Sequence, residues 1–165
     1  MAGNIIQKFG TSAQTLTCQL APGGVGLANN GARESTVVDN TSDLFQDVLV
    51  QIQIKSGASA TSTSGLVNVY AYGTVDGGTT YPDNVTGSDA AITLVVPTNL
   101  RLIGQLNVVA NSTTYKSMPM SVAAAFGGIM PAKWGVGIEN KTSGVRSTTE
   151  GNNKNSHQGV YPQLT

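Results

Sequence analysis

A strict alternation of apolar and polar residues over residues 48–55 constrains the fold of this chain more than any other feature. One face of this segment carries four branched side chains, Val48, Val50, Ile52 and Ile54. The other face includes two glutamines and a lysine. Successive side chains of a strand point to opposite faces, so a period of two is typical of a half-buried antiparallel strand. The pattern therefore predicts a strand with its branched face in a hydrophobic core.

Similar short segments recur along the chain and are separated by turn signals. Residues 66–74, 100–109 and 133–139 alternate in the same way. The second is expected to place Leu100, Leu102, Leu106 and Val108 on one side, and the third to bury Trp134. No long segment has the helical period of 3.6. Roughly seven to nine such strands predict an all-β, single-domain β-sandwich, and we expect a jelly roll.

Residues 1–31 differ from the rest of the chain. Glycine-rich breaks at 22–26 and 29–31 interrupt any sustained strand. We therefore expect an extended N-terminal arm over residues 1–31 and a sandwich domain over residues 32–165. The arm contains one strand-like run, 15–20, and we expect it to mediate assembly by adding a strand to a neighbouring subunit. The alternative is that this run pairs within its own sandwich.

The inward face of that strand-like run would consist of Leu16, Cys18 and Leu20, which are the predicted assembly residues. Cys18 is the only cysteine, so the chain cannot form an intrachain disulfide. Because unpaired cysteines are among the most buried residues, we expect an inert, buried thiol. The scarcity of cysteine also favours synthesis in the cytoplasm.

Two segments rich in small polar residues are expected to be exposed and mobile. Residues 56–65 contain no large side chain, and residues 141–157 contain few apolar ones. Ordering a residue costs roughly 1 to 2 kcal/mol of backbone entropy, which such segments cannot offset by burying apolar surface.

The charge inventory excludes several classes of partner. Nine lysines and arginines balance nine acidic residues, and charged residues make up only 11% of the chain. A neutral chain is not expected to bind nucleic acid or an anionic membrane surface, both of which attract basic proteins. The first residues lack the pattern of a signal peptide, and no apolar stretch is long enough for a transmembrane helix.

The inventory of reactive residues predicts that the chain is not an enzyme. His157 is the only histidine, and we expect it in a solvated loop. A catalytic triad at His157 would need a nucleophile motif that the sequence lacks, and a zinc site would need several cysteine or histidine ligands. We therefore predict no catalytic residue, no cofactor and no metal site.

An oxygen-rich stretch leaves one alternative open. Asp39, Asp43 and Asp47 lie close together in the sequence and could bind calcium. The ordinary interpretation is a turn capped by Asx side chains.

Tyrosines leave another alternative open. Tyr70 and Tyr72 share a strand face and Tyr81 lies nearby, so their rings could stack on a sugar. Packing within the sandwich is the more ordinary role for such rings.

Four runs of the sequence together carry a resemblance to a known family. These runs are residues 32–57, 67–87, 99–116 and 125–140. Taken together, the sequences of these runs resemble a family of small structural proteins of tailed-phage and prophage virions. The resemblance implies a component of a virus particle and brings no enzymatic residues with it.

The resemblance implies particular partners and a location. We expect a capsid decoration protein that is located in the virion and binds itself as a homo-oligomer and the major capsid protein. A stable contact of this kind buries roughly 800 Å² on each partner. The alternatives are a collar, tail or baseplate component and, from a different class, a carbohydrate-binding module on the particle surface.

Overall fold

The computed structural model describes residues 3–58 and 64–165 and is a β-sandwich. Two antiparallel sheets pack face to face, so the predicted all-β sandwich is confirmed. The jelly-roll arrangement stays a prediction. Within the described ranges the helices are short 3-10 turns, none of which could cross a membrane. These turns span Pro22–Gly24, Ala123–Phe126 and Glu150–Asn152.

The strands are numbered in chain order across both sheets. The first sheet contains β1 (Ile5–Phe9), β2 (Gln14–Thr15), β5 (Asp47–Lys55), β9 (Thr114–Lys116), β10 (Met120–Ser121) and β12 (Lys154–Leu164). The second contains β3 (Ala32–Glu34), β4 (Val38–Asp39), β6 (Leu66–Thr74), β7 (Ala90–Ile92), β8 (Arg101–Asn107) and β11 (Lys133–Lys141). The strand orders are β1-β12-β5-β10 and β7-β3-β11-β6-β8.

The main core lies between the two sheets. The four branched side chains of β5 are fully buried, which confirms the predicted alternation. From the opposite sheet, β11 contributes Trp134, Val136 and Ile138, and these are fully buried as well. Full burial of one such side chain stabilises a fold by about 1.5 to 3 kcal/mol. This shared core therefore holds the two sheets together.

Strand β8 departs from the predicted alternation. Its register against β6 shifts beside Ile103, where a β-bulge interrupts the strand. After the bulge, Leu106 and Val108 lie in the main core as expected. Before it, Leu100 belongs to a separate cluster and Leu102 is 51% exposed. The prediction of one common face is therefore wrong, because a bulge adds a residue and re-aims the side chains before it.

The connection from β6 to β8 folds back over the outer face of the second sheet. Its Val85 packs with Tyr72 and Leu100 in a second, smaller cluster. Tyr72 lies directly over Gly135 of β11, where a Cβ atom would come within 2.3 Å of the tyrosine ring. The absence of a side chain at Gly135 thus leaves room for the ring of Tyr72, on which Val85 of the connection packs.

A buried carboxylate anchors the same connection. Glu34 is fully buried and accepts hydrogen bonds from the backbone N–H groups of Thr86 and Gly87. It also accepts one from the Thr86 hydroxyl at 2.8 Å. A carboxylate bonded to several donors can be buried without a large penalty. Glu34 therefore anchors the connection between β6 and β8 to strand β3.

Residues 141–157 alternate between buried and exposed positions, so the prediction of an exposed segment is wrong, and its mobility stays a prediction. Arg146 is 1% exposed, and β12 begins within the segment at Lys154. Hydrogen bonds to distant segments replace apolar burial: the backbone N–H of Arg146 donates to the carbonyl of Leu27 at 3.0 Å. Of the other polar segment predicted to be mobile, residues 59–63 lie outside the described residues, and Ser56 is buried.

Candidate assembly interface

The N-terminal segment runs antiparallel to β12 along the edge of the first sheet. Strand β1 pairs with the end of β12, from Ile5 opposite Leu164 to Phe9 opposite Val160. Strand β2 then pairs Gln14 with His157. The described part of the expected arm therefore completes its own sandwich.

The three predicted assembly residues lie inside that sandwich. Leu16, Cys18 and Leu20 are 2%, 3% and 0% exposed and belong to the main core. The backbone N–H of Leu16 donates to Asn155 of β12 at 2.8 Å. The alternative of pairing within the same chain is thus the arrangement in the structure. A role of the three residues in assembly stays a prediction, but their own chain covers them here.

Cys18 has the buried thiol that the sequence predicts. Burial raises the pKa of this thiol well above its ordinary value, and the nearby Asp89 carboxylate adds to the rise. Because the thiolate is the reactive form, Cys18 is an inert core residue.

Beyond Val160 the first sheet narrows to a two-stranded terminal ribbon, which consists of β1 and residues 161–164. Strand β5 pairs with β12 only as far as Val160, so the last residues of β12 pair with β1 alone. The ribbon exposes four large apolar side chains, those of Ile5 (75%), Ile6 (45%), Phe9 (53%) and Leu164 (71%). A cluster of exposed apolar side chains is typical of an interaction site, whereas scattered single ones are ordinary.

The outer edge of β1 is open for further pairing. Asn4 and Thr165 exchange both backbone hydrogen bonds, and Gly10 N–H donates to Gly159. Hydrogen-bonded positions alternate in an antiparallel pair, so the even-numbered residues of β1 bond to β12. The N–H and C=O groups of Ile5, Gln7 and Phe9 therefore point away from β12. Among the described strands, none lies on that side.

A second candidate surface is a polar groove on the outer face of the second sheet. Its volume is about 480 Å³. The floor contains Asn68, Tyr70, Glu139 and Lys141, and Val95 and Val96 form part of the wall. The groove thus combines one tyrosine ring with several polar groups.

Hydrogen bonds hold the floor of the groove in place. Glu139 accepts from Asn68 Nδ2 at 2.9 Å and from the Tyr70 hydroxyl at 3.0 Å, and it pairs with Lys141 at 3.0 Å. Burial alone would raise the pKa of Glu139, but these hydrogen bonds outweigh it and the pKa lies below its ordinary value. Burial and the hydrogen bond to Glu139 raise the pKa of Tyr70 to about 12.

The three tyrosines do not form one exposed platform. Tyr72 is 1% exposed, and Tyr81 packs edge-on against it with ring centroids 5.6 Å apart. Only Tyr70 lines the groove. Packing within the protein is therefore the role of Tyr72, as the more ordinary interpretation holds.

The only histidine lies in the interior, so its predicted place in a solvated loop is wrong. His157 is 5% exposed in β12, between β5 and β2. Burial lowers its pKa. Burial alternates along β12, with Asn155, His157 and Gly159 pointing inward. The sequence did not reveal this alternation because the inward residues are mostly polar.

The predicted Asx turn is confirmed at Asp39. Its carboxylate accepts hydrogen bonds from the backbone N–H of Thr41 at 2.8 Å and from the Thr41 hydroxyl at 2.6 Å. These bonds lower the pKa of Asp39. Asp47 instead accepts from Ala123 N–H at 2.9 Å. Across residues 3–58 and 64–165, no three His, Cys, Asp or Glu side chains come together as a metal site would require.

No protein-family model matches this chain, and no curated protein matches it at a significant level. Its function must therefore be argued from the surfaces described above. The terminal ribbon is the surface that sequence reasoning missed. The signal for it is the short run Ile5–Phe9, which is rich in β-branched and aromatic residues.

Proposed function

We propose that this chain is a non-enzymatic structural protein of a tailed-phage virion, where it decorates the head by binding the major capsid protein and copies of itself. The observation that carries the proposal is the terminal ribbon, with its exposed apolar side chains and the open edge of β1. The resemblance of the sequence to small virion proteins is the reason for proposing a phage virion as the assembly.

The ribbon has the chemistry of a docking element. Burying one large apolar side chain is worth about 1.5 to 3 kcal/mol, so the three on one face, Ile5, Phe9 and Leu164, supply a substantial part of a stable contact. The outward backbone groups of β1 add directional hydrogen bonds to any strand that pairs there. Since the chain has no net charge, such binding should depend only weakly on salt.

The buried positions of His157 and Cys18 support a non-enzymatic role. Both side chains lie inside the sandwich, so neither can meet a substrate in solution. These are the only histidine and the only cysteine of the chain.

The copy number in purified virions tests the place of the protein in the particle. A decoration protein is expected in many copies, in proportion to the capsid protein on a stained gel. A small fixed number of copies would instead favour a collar, tail or baseplate ring. Absence from the particle would overturn the proposal.

A binding assay with undecorated heads tests the role of the ribbon. We expect the double variant Ile5→Ser with Phe9→Ser to bind at least about tenfold more weakly, which corresponds to a loss of about 1.4 kcal/mol. The matched control is Val75→Ser with Val96→Ser, since these two valines are 99% and 97% exposed outside the ribbon. Equal binding by both double variants would remove the ribbon from the contact.

The polar groove supports a second candidate function, the binding of a surface glycan. The supporting observation is the floor of the groove, where the amide of Asn68, the hydroxyl of Tyr70 and the carboxylate of Glu139 are already hydrogen-bonded to one another. Sugar hydroxyls require such groups, and a ring can stack on a sugar face. A glycan array with the wild type and Tyr70→Ala tests this function. Lack of binding by the wild type, or equal binding by the variant, would contradict it.

A further inference from the structure

We propose that β1 pairs antiparallel with β1 of a second copy, so that two chains form a symmetric dimer with its two-fold axis at Gln7. In this dimer the two first sheets join into one continuous sheet. The inference deepens the proposed function and rests on it for its biological role, because it names the self-contact by which neighbouring copies would be linked.

The backbone of β1 limits how a second strand can pair. The outward N–H and C=O groups belong to Ile5, Gln7 and Phe9, as the bonds of Asn4 and Gly10 to β12 require. In an antiparallel pair, outward residues of one strand exchange hydrogen bonds with outward residues of the other. Odd-numbered residues of one copy must therefore lie opposite odd-numbered residues of the second.

Three registers satisfy this condition near the middle of the strand, and one of them is favoured. An axis at Gln7 overlaps all five residues of β1 and places Ile5 opposite Phe9 of the second copy. An axis at Lys8 would place two lysines directly opposite each other, which is unfavourable. An axis at Ile6 would place Phe9 opposite Gly3, where the second copy offers no side chain.

The side chains of the favoured register are complementary. Residues directly opposite each other across a pair of strands share one face. Leu164 lies opposite Ile5, and Val160 lies opposite Phe9 within each chain. The dimer therefore forms apolar rows across four strands, each running from Leu164 through Ile5 to Phe9 and Val160 of the second copy. On the other face, Ile6 of one copy lies opposite the aliphatic stem of Lys8 of the other.

Self-pairing also accounts for the exposure of the ribbon. Edge strands are usually protected by charges, prolines or a covering segment, because an open edge invites pairing. Strand β1 has a single lysine, and its first and last residues are the exposed Ile5 and Phe9. An isologous contact needs a surface that is complementary to itself, and the favoured register gives β1 this property.

Proline substitution tests the backbone contact. Gln7 N–H points to the open edge, so Gln7→Pro removes a central intermolecular donor and leaves the pairing with β12 intact. In sedimentation experiments we expect the wild type to dimerise as its concentration rises. Gln7→Pro should weaken dimerisation at least about tenfold, whereas Gln7→Ala, which keeps the N–H, should change it by less than about threefold.

Cysteine cross-linking tests the register in the folded protein and does not depend on the proline variant. Opposite hydrogen-bonded residues have Cα atoms about 5.5 Å apart, so Gln7→Cys should oxidise to a covalent dimer. Lys8→Cys is the control, because its two copies would lie about 8 Å apart, too far for a disulfide. Cys18 is buried and should not contribute.

Three results would overturn the dimer. These are a wild type that stays monomeric at high concentration, a Gln7→Pro variant that dimerises as well as the wild type, and cross-linking through Lys8→Cys in preference to Gln7→Cys. The proposed function is tested separately, since a monomer that still binds heads would remove only the dimer. A dimer that is absent from virions would instead remove the proposed function.

Discussion

The imidazole of His157 packs edge-on against the indole of Trp134, with ring centroids 5.4 Å apart. His157 belongs to β12 in the first sheet and Trp134 to β11 in the second. Both side chains are buried. The contact therefore joins the two sheets through a titratable group whose charged form is disfavoured by its surroundings.

This contact predicts that acid destabilises the protein. In the unfolded chain His157 takes up a proton near its ordinary pKa of 6.5, whereas burial keeps its pKa lower in the folded protein. Between those two values the unfolded state binds more protons. The free energy of unfolding should thus fall below about pH 6.5, by at most about 1.4 kcal/mol per pH unit from this residue.

Urea denaturation across that pH range measures the effect. His157→Gln removes the titrating group and should flatten the pH dependence of the unfolding free energy below about pH 6.5. An equally steep dependence in the variant would assign the acid sensitivity to other residues.

The inward face of β5 gives a second prediction. Ile52 is fully buried, so Ile52→Asp would place a carboxylate in the core without a partner. We expect a loss of several kcal/mol in the free energy of unfolding, at least about 3. Gln51→Asp is the control on the exposed face of the same strand and should cost about 1 kcal/mol, because it loses one hydrogen bond to Ser117. Equal melting temperatures would contradict the prediction.

Two glycines of β11 give a third prediction. A Cβ atom at Gly135 would lie 2.3 Å from the buried ring of Tyr72, whose hydroxyl is held by Ser35 at 2.7 Å. Gly135→Ala should therefore destabilise the protein by about 1 to 3 kcal/mol through overpacking.

Gly137→Ala is the matched control for that substitution. Its Cβ would meet the end of Leu100 at 3.2 Å, a flexible side chain that can shift, and the end of Ile92 at an ordinary 3.7 Å. A smaller loss, or a small gain, in thermal stability is expected. Equal losses at the two positions would show that the ring of Tyr72 can move aside.

Arg146 gives a fourth prediction. Its guanidinium is buried and bonds to the Thr142 hydroxyl, and no acidic side chain of the described residues pairs with it. Burial lowers its pKa to about 10. Arg146→Met keeps much of the volume and removes the charge, so it should stabilise the protein by about 1 kcal/mol or more.

Chemical denaturation of Arg146→Met beside Arg101→Met checks this. Arg101 is exposed, so its substitution should leave the free energy of unfolding nearly unchanged. A marked loss for Arg146→Met would show that the guanidinium makes a net favourable contribution where it lies.

Sequence reasoning succeeds here where one face of a strand is apolar and fails where burial is polar. The alternation in β5 and around Trp134 is a local signal, and it located the main core. By contrast, Asn140 is fully buried through a bond to Leu27, 113 residues away, and no local pattern reports such a partner.

The terminal ribbon could not be predicted for the same reason. Its existence depends on pairing between the two ends of the chain, such as Ile5 with Leu164. The composition of β1 indicates a strand, but neither its partner nor the open side follows from five residues. The bulge at Ile103 likewise depends on the register between β6 and β8.

The pairing of Asn4 with Thr165 also determines how the protein responds to a mechanical load. A pull that separates Asn4 from Thr165 acts on this pair first, and the pairs of the ladder then open one at a time. A pull along β1 from a neighbouring chain loads every pair of the ladder at once, and this shear geometry resists much larger forces. The ribbon would therefore open under tension between Asn4 and Thr165, but it would resist a force that slides an attached neighbour along β1.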